Sequence, residues 1–193
     1  MAKAAASSSI ERELKFRTEG LEVVRERLVE LEAERLGPAH FEDNLILDRD
    51  GELEKLGCLL RLRADGRGVR MTYKGPRRAD GHAKVRVEHE TSVGDLARAK
   101  ALFESLGYRV VRRYQKVREE WRLGGVEVAL DHTPMGDYVE IEGNRAEVLA
   151  KRFGMDPAKA EQRSYLRLYD DYRRDHPDAP EEMIFPEEGG SAR

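Results

Sequence analysis

Glu11, Glu13 and Lys15 occupy alternate positions in Ile10-Glu11-Arg12-Glu13-Leu14-Lys15-Phe16, interleaved with Ile10, Leu14 and Phe16. Successive side chains of a strand point to opposite faces. Such a strand carries two carboxylates and an ammonium on one face and a mostly apolar row on the other. The arrangement returns along the chain. Arg61 and Arg63 alternate with Leu60 and Leu62; Arg70, Thr72 and Lys74 with Val69, Met71 and Tyr73; Lys84, Arg86, Glu88 and Glu90 with Val85 and Val87. Further on, Lys116, Arg118 and Glu120 alternate with Val117 and Trp121, Glu127 and Asp131 oppose Val126, Val128 and Leu130, and Glu140 and Glu142 flank Ile141. For one strand alone, the simplest account is a half-exposed sheet with its charges in water. Repeated on most strands, with little Ser, Thr or Gln among the charges, the pattern points to a charged interior.

Cations gathered in an interior need anions, and carboxylates there need cations. Several Arg and Lys converging on one channel match phosphate oxygens, with Arg supplying planar forks. Glu11, Glu13, Glu140 and Glu142, with Asp131 as a further candidate, are hard oxygen donors suited to Mg²⁺ or Mn²⁺. A polyphosphate chain with a divalent metal satisfies both charge types, and phosphoryl transfer needs mainly this positioning and neutralisation. Other chemistries fit poorly. The five His residues (His40, His82, His89, His132, His176) show no zinc-ligand spacing, with His89 and His132 expected outside or at a rim. No Gly-x-x-x-x-Gly-Lys loop and no Ser or Cys nucleophile motif occurs. The basic cluster Lys74-Gly75-Pro76-Arg77-Arg78 reads, from Pro76 to Arg78, equally well as a solvated turn.

These residues must be held by a single domain of ordinary size, given 193 residues. Charged residues make up 38% of the chain, yet 35 basic residues nearly cancel 38 acidic ones, so net charge is only −3. A nucleic-acid binder is usually lopsided, and nucleic acid is not expected as the ligand. The lone Cys58 precludes an intrachain disulfide and reads as a small buried apolar residue. No apolar run reaches the roughly 20 residues of a membrane span. Residues 1–9 read as a disordered leader without signal-peptide character, which makes the cytoplasm the expected location. Residues 177–193, with Pro177, Pro180 and Pro186 and a Glu- and Gly-rich end, read as a flexible acidic tail. Residues 10–176 form the domain.

Eight strands are expected: Ile10 to Arg17, Phe41 to Asp48, Cys58 to Ala64, Val69 to Gly75, Ala83 to Thr91, Arg109 to Leu123, Val126 to Asp131, and Tyr138 to Glu142. Short turns such as Asp65-Gly66, Asp80-Gly81 and Gly124-Gly125 suggest antiparallel hairpins, and about eight such strands can close into a barrel. Helical spacing predicts a helix over Glu19 to Leu36, stopped by Gly37-Pro38, and another over Asp95 to Leu106, capped by Ser92. A third follows Asn144, with Asn144 and Glu147 as a capping box and Gly154 closing it. Asp156-Pro157 reads as a cap with first-turn proline, and a last helix starts near Ser164. Outward apolar strand residues and Trp121 either pack under helices or form a homodimer face.

The ordered set Glu11-x-Glu13-x-Lys15, Leu60-Arg61-Leu62-Arg63, Thr72-Tyr73-Lys74-Gly75-Pro76, Arg86-x-Glu88, Lys116-x-Arg118, Asp131, Gly136-x-Tyr138-x-Glu140-Ile141-Glu142 and Ser164-Tyr165 resembles the CYTH superfamily, the triphosphate tunnel metalloenzymes. The likeness runs from about Ile10 to Tyr172 and is nearest the class IV adenylate cyclase-like and thiamine triphosphatase-like bacterial branch. It implies an α+β fold, a closed antiparallel β-barrel tunnel of about eight strands with helices packed outside. It implies phosphate binding by Lys15, Arg61, Arg63, Lys74, Arg86, Lys116 and Arg118. It also implies metal binding by Glu11, Glu13, Glu140 and Glu142, with Asp131 as a candidate, and a catalytic role for Lys15, Lys74 and Glu13. Glu88 and Glu120 would orient the cations or assist the metal, and Ser164 and Tyr165 would close the tunnel. Two departures stand out. The aromatic that many relatives carry on the second strand is absent from Asp43-Asn44-Leu45-Ile46-Leu47-Asp48, and no C-terminal tunnel lysine aligns, leaving Arg163 and Arg167 as substitutes.

The implied activity is metal-dependent hydrolysis of a triphosphate (inorganic triphosphate, thiamine triphosphate or a nucleoside triphosphate). The alternatives are class IV cyclisation of ATP to cyclic AMP and pyrophosphate, a noncatalytic polyphosphate-binding module, and, more distantly, an RNA 5′-triphosphatase using Arg109, Arg112 and Arg113.

Overall fold

A computed structural model describes residues 8–186. Its strands are β1 (Ser8–Thr18), β2 (Glu34–Arg35), β3 (His40–Asp48), β4 (Leu59–Asp65), β5 (Gly68–Lys74), β6 (Arg78–Asp80), β7 (Ala83–Val93), β8 (Arg109–Leu123), β9 (Val126–Thr133) and β10 (Gly136–Glu142). The helices among the described residues are α1 (Glu22–Glu30), α2 (Glu52–Lys55), α3 (Leu96–Ser105), α4 (Ala146–Arg152) and α5 (Tyr165–Asp175), with a 3₁₀ turn, Pro157–Lys159, between α4 and α5. The strand order β1-β10-β9-β8-β3-β4-β5-β7 returns to β1, so eight antiparallel strands close a barrel. Closure depends on the length of β1. Its first half pairs with β7 (Glu11↔Arg86) and its second half with β10 (Lys15↔Glu140). A closed ring leaves no strand edge exposed for pairing with other chains. β2 adds to β8 and β6 to β7 outside the ring.

The apolar rows face outward, under the helices. Leu14, Val139, Ile141, Val128, Leu130 and Trp121 pack beneath Val24 and Leu28 of α1 and Ala146, Leu149 and Ala150 of α4. Leu47, Leu60 and Leu62 meet Leu53, Leu96 and Phe103 from α2 and α3. Each fully buried aliphatic side chain contributes about 1.5–3 kcal/mol, so the hydrophobic stabilisation comes from this outer shell. Helix α5 is placed differently. Its Tyr165, Leu168 and Tyr169 contact Ile46, Tyr114 and Tyr138. Those three share strand faces with Glu42, Lys116 and Glu140, so α5 lies across one end of the barrel.

The structure departs from the sequence expectations at several points. Helix α1 ends at Glu30, not Leu36: Glu32 takes a left-handed φ of 55°, Ala33 N–H bonds the Leu28 carbonyl at 2.9 Å, and the chain then extends as β2. Ser92 remains in β7 opposite Arg70, and Asp95 caps α3 by accepting from Arg98 N–H. Asn144 does not cap α4. Glu147 instead accepts the His82 N–H at 3.2 Å. Asp156 caps as expected, and Ser164 caps α5, which starts where the sequence places it. Cys58 is only half-buried, accepting from the Tyr73 hydroxyl at 3.2 Å. Trp121 packs under α1.

The segment before Pro186 is not loose. Met183 is 1% exposed, its carbonyl accepts the Gln115 N–H at 2.8 Å, and Phe185 N–H donates to Gln115 Oε1 at 3.1 Å. This segment lines up along β8 where β9, which starts pairing only at Val117, does not reach. The rest of the expected tail (187–193) and most of the leader (1–7) lie outside the described residues. Among the described residues, no helix is long and apolar enough to cross a membrane.

Candidate active site

The lumen contains a cavity of about 340 Å³, within the roughly 300–1,000 Å³ typical of small-molecule sites. All but five of its lining residues (Leu59, Tyr114, Ser164, Tyr165 and Leu166) are ionic. The strand period accounts for this composition. Once the apolar rows go under the helices, every alternate charged residue must point inward.

Near α5, Lys15 Nζ sits 3.1 Å from Glu140 and 3.6 Å from Glu13, with the Tyr165 ring 4.0 Å below it. Lys116 Nζ contacts Asp131 at 3.0 Å. Arg118 donates to both Asp131 oxygens, at 2.7 and 2.6 Å, and also to Glu140. The Tyr165 hydroxyl donates to Asp131 at 2.7 Å. Burial opposes ionisation of Glu140, but Lys15 and Arg118 outweigh it and hold the carboxyl well below its ordinary range. Burial and the Asp131 charge raise the Tyr165 phenol, which therefore stays a donor.

Across the lumen, Lys74 Nζ lies 2.7 Å from Glu11 and 3.1 Å from Glu88, while Arg86 Nε donates to Glu11 at 2.8 Å. Burial would raise the Glu11 carboxyl, yet Lys74 and Arg86 bring it down to about 2. Arg61 donates to the Tyr114 hydroxyl at 3.2 Å and Thr72 at 3.3 Å, and Arg63 to Glu42 at 3.2 Å. Both arginines keep a buried Nε–H with no acceptor among the described residues. An unmade hydrogen bond to a buried group costs about 1–3 kcal/mol, a cost that an anionic oxygen would remove.

Glu142 is in the opposite situation. It pairs in register with Glu13 and faces Glu11 and Glu88. Glu142 is exposed at the edge of the lumen, yet loss of surrounding water and then the Glu11 charge push its carboxyl up from 4.5 to about 8 despite Lys74. This excess of hard oxygen donors fits a divalent cation. A second acid group, His40, Glu42 and Asp65, brings its donor atoms within 4.8 Å of one another. It fits a cation less well, because Arg63, Arg67, Arg70 and Lys116 already hold it.

The structure thus gathers Glu11, Glu13, Lys15, Arg61, Arg63, Lys74, Arg86, Glu88, Lys116, Arg118, Glu120, Glu140, Glu142, Ser164 and Tyr165 on one cavity wall. Asp131 differs. It is completely buried beneath the wall, and its oxygens accept from Lys116, Arg118 and Tyr165. Arg163 and Arg167 are not on the wall; they pair at the surface with Glu161 and with Glu54. Arg112 and Arg113 pair with Asp170 and Asp43.

Sequence reasoning missed Glu42, fully buried, whose carboxyl lies far below its ordinary range because Lys116 and Arg118 overcome the opposing effect of burial. The signal was present: Glu42 shares a strand face with Asn44 and alternates with Phe41 and Asp43. Tyr114 was also missed. Facing the lumen from β8 in register with Asn44, it puts an aromatic on the wall beside the second expected strand, whose Asp43–Asp48 stretch has none.

The family model described as CYTH domain matches residues 9–152. A Methanocaldococcus jannaschii protein named "Putative adenylate cyclase MJ0240" is 27% identical over 143 residues, 74% of this chain and 81% of that one. A Vibrio parahaemolyticus structure described as a "putative adenylate cyclase" superposes with a TM-score of 0.74 at 24% identity, covering 85% of this chain and 99% of that one. A Hippeastrum structure, whose description speaks of a dominant triphosphatase activity, superposes at 0.62 with 15% identity, covering 84% and 96%.

Proposed function

The chain belongs to the CYTH domain family, and on that premise we propose that it is a divalent-metal-dependent enzyme that hydrolyses a triphosphate inside its barrel. One observation carries the reading. A single lumen holds buried guanidinium N–H groups that find no acceptor among the described residues, together with Glu142, an acid that faces other acids and forms no ion pair among the described residues. A polyphosphate supplies the acceptors, and a divalent cation supplies the missing charge.

Arg61, Arg63, Lys15, Lys116 and Arg118 bind and orient the phosphate oxygens, while Lys74 and Arg86 do so from the opposite strands. Glu13 and Glu142, with Glu11 and Glu140, would hold Mg²⁺ or Mn²⁺, which when bound neutralises charge on the phosphate chain. Asp131, Glu42 and Tyr165 keep the cations in place and charged. The nucleophile is water: its oxygen bonds the terminal phosphorus as the bond from that phosphorus to the bridging oxygen breaks, the shortened chain leaves with the bridging oxygen, and the terminal group departs as orthophosphate, the water's protons passing to the products or solvent. Because the wall is almost wholly ionic, it reads phosphates more than the organic group attached to them. That supports hydrolysis across several triphosphates. The adenylate cyclase name of the 27% identical relative favours a second reading, attack by the ribose hydroxyl of ATP on its α-phosphorus.

Product analysis separates the two. The full chain is given Mg²⁺ or Mn²⁺ with inorganic triphosphate, thiamine triphosphate or ATP, and orthophosphate, pyrophosphate and cyclic AMP are measured, with Glu13→Gln and Lys15→Ala as controls. Orthophosphate without cyclic AMP is expected. Cyclic AMP with matching pyrophosphate replaces hydrolysis by cyclisation, and tight binding without turnover removes both.

A further inference from the structure

Arg77 lines the cavity from the link between β5 and β6. Each of the other lysines and arginines on the wall has a carboxylate oxygen within 3.8 Å. Arg77 has none among the described residues. Its one polar contact among the described residues is a 3.4 Å hydrogen bond from Nη1 to the Gln162 carbonyl.

This link is anchored, unlike the solvated turn its composition suggests. Gly75 N–H bonds the Val87 carbonyl at 2.9 Å on one side, and Arg78 pairs with Val85 on the other. Continuing that pairing by one residue places Arg77 beside Arg86. Arg77 is exposed at the cavity edge, yet loss of surrounding water and then the Arg86 charge pull its guanidinium below the ordinary range. The Arg86 guanidinium is already bonded to Glu11, which Lys74 shares. Glu13 and Glu11 are the acids that act on Arg77, yet neither bonds it, so most of its N–H donors stay available to a ligand. An anion bound there would reverse the cost of keeping both guanidiniums charged.

We propose that Arg77 is a further substrate-binding residue, its guanidinium donating to phosphate oxygens of the polyphosphate chain alongside Arg86. The inference rests on the triphosphate reading above. It assigns to the β5–β6 link a contact from outside the barrel ring, made by a side chain whose backbone is fixed at both ends. A charge-assisted hydrogen bond is worth about 1.5–3 kcal/mol, roughly 10- to 150-fold in affinity.

The test compares Arg77→Ala, Arg77→Lys and Arg78→Ala, all in the full chain. Calorimetry measures binding of inorganic triphosphate without added metal, and turnover with Mn²⁺ gives kcat and KM. Arg77→Ala is expected to weaken binding and raise KM at least tenfold with a smaller effect on kcat. Arg77→Lys is expected to recover part of the loss, since lysine keeps the charge but not the fork. Arg78→Ala, one residue along and off the wall, should stay within twofold of the parent, and thermal midpoints should match throughout. If Arg77→Ala binds as tightly as Arg78→Ala while the parent binds well, the Arg77 assignment is wrong and the function stands. If the parent itself neither binds nor turns over triphosphate, both fall.

Discussion

Glu142 and Asp131 are both carboxylates on strands of one barrel, and their surroundings give them opposite tasks. Glu142 faces other acids. Loss of surrounding water and the facing acids push its carboxyl up from the ordinary 4.5 to about 8 in the fold, so between those values the native state binds the extra proton and stability falls as pH rises. In metal-free protein, Glu142→Gln should therefore raise the thermal midpoint at pH 9 and leave it nearly unchanged at pH 4. Mg²⁺ should stabilise the parent more than the variant at pH 9. Equal effects of the substitution at both pH values would refute the assignment. Asp131 faces two cations and a phenol. Asp131→Asn leaves buried cations short of charge and should cost about 3–5 kcal/mol, measured by urea unfolding. A metal-ligand role predicts the reverse pattern, lost metal affinity with stability intact.

At the scale of elements, the strands were legible because period two is a strict geometric consequence of the pleat; β8 runs over the expected residues, Arg109–Leu123. The inward position of Glu11, Lys15, Arg61, Lys74, Lys116 and Glu140 followed from the same alternation. What sequence could not give was decided by contacts between distant segments. The early end of α1 depends on the Glu32 turn and on the space beside Trp121 that β2 fills. Arg77 reached the wall through pairing of β6 with β7, which no local pattern announces. Met183 was hidden in a composition typical of tails, yet it covers the part of β8 that β9 leaves unpaired. Met183→Ala should accordingly cost about 2–5 kcal/mol by denaturant titration, whereas a free tail predicts no change.

At the scale of the whole molecule, the barrel is turned inside out relative to a sheet that buries its apolar face in its own middle. Greasy rows hold the outer shell, and the lumen is left to ions. A ligand that binds only the folded lumen stabilises it by mass action. Inorganic triphosphate at 100 times its Kd should add about 2.7 kcal/mol, a rise of several degrees in thermal midpoint for a chain this size; no shift at saturating ligand would count against a lumenal site. The ion pairs have a further consequence. Before a ligand arrives, nearly every wall cation is already held by a carboxylate, as Lys74 and Arg86 are by Glu11. Entry is then a swap of counter-ions, in which phosphate oxygens displace carboxylates that the metal takes up. Selection accordingly acts on which anion, with which cation, can complete the whole exchange. Chloride or a lone phosphate would be a poor competitor even at high concentration, because neither can release enough carboxylates at once to hold the metal.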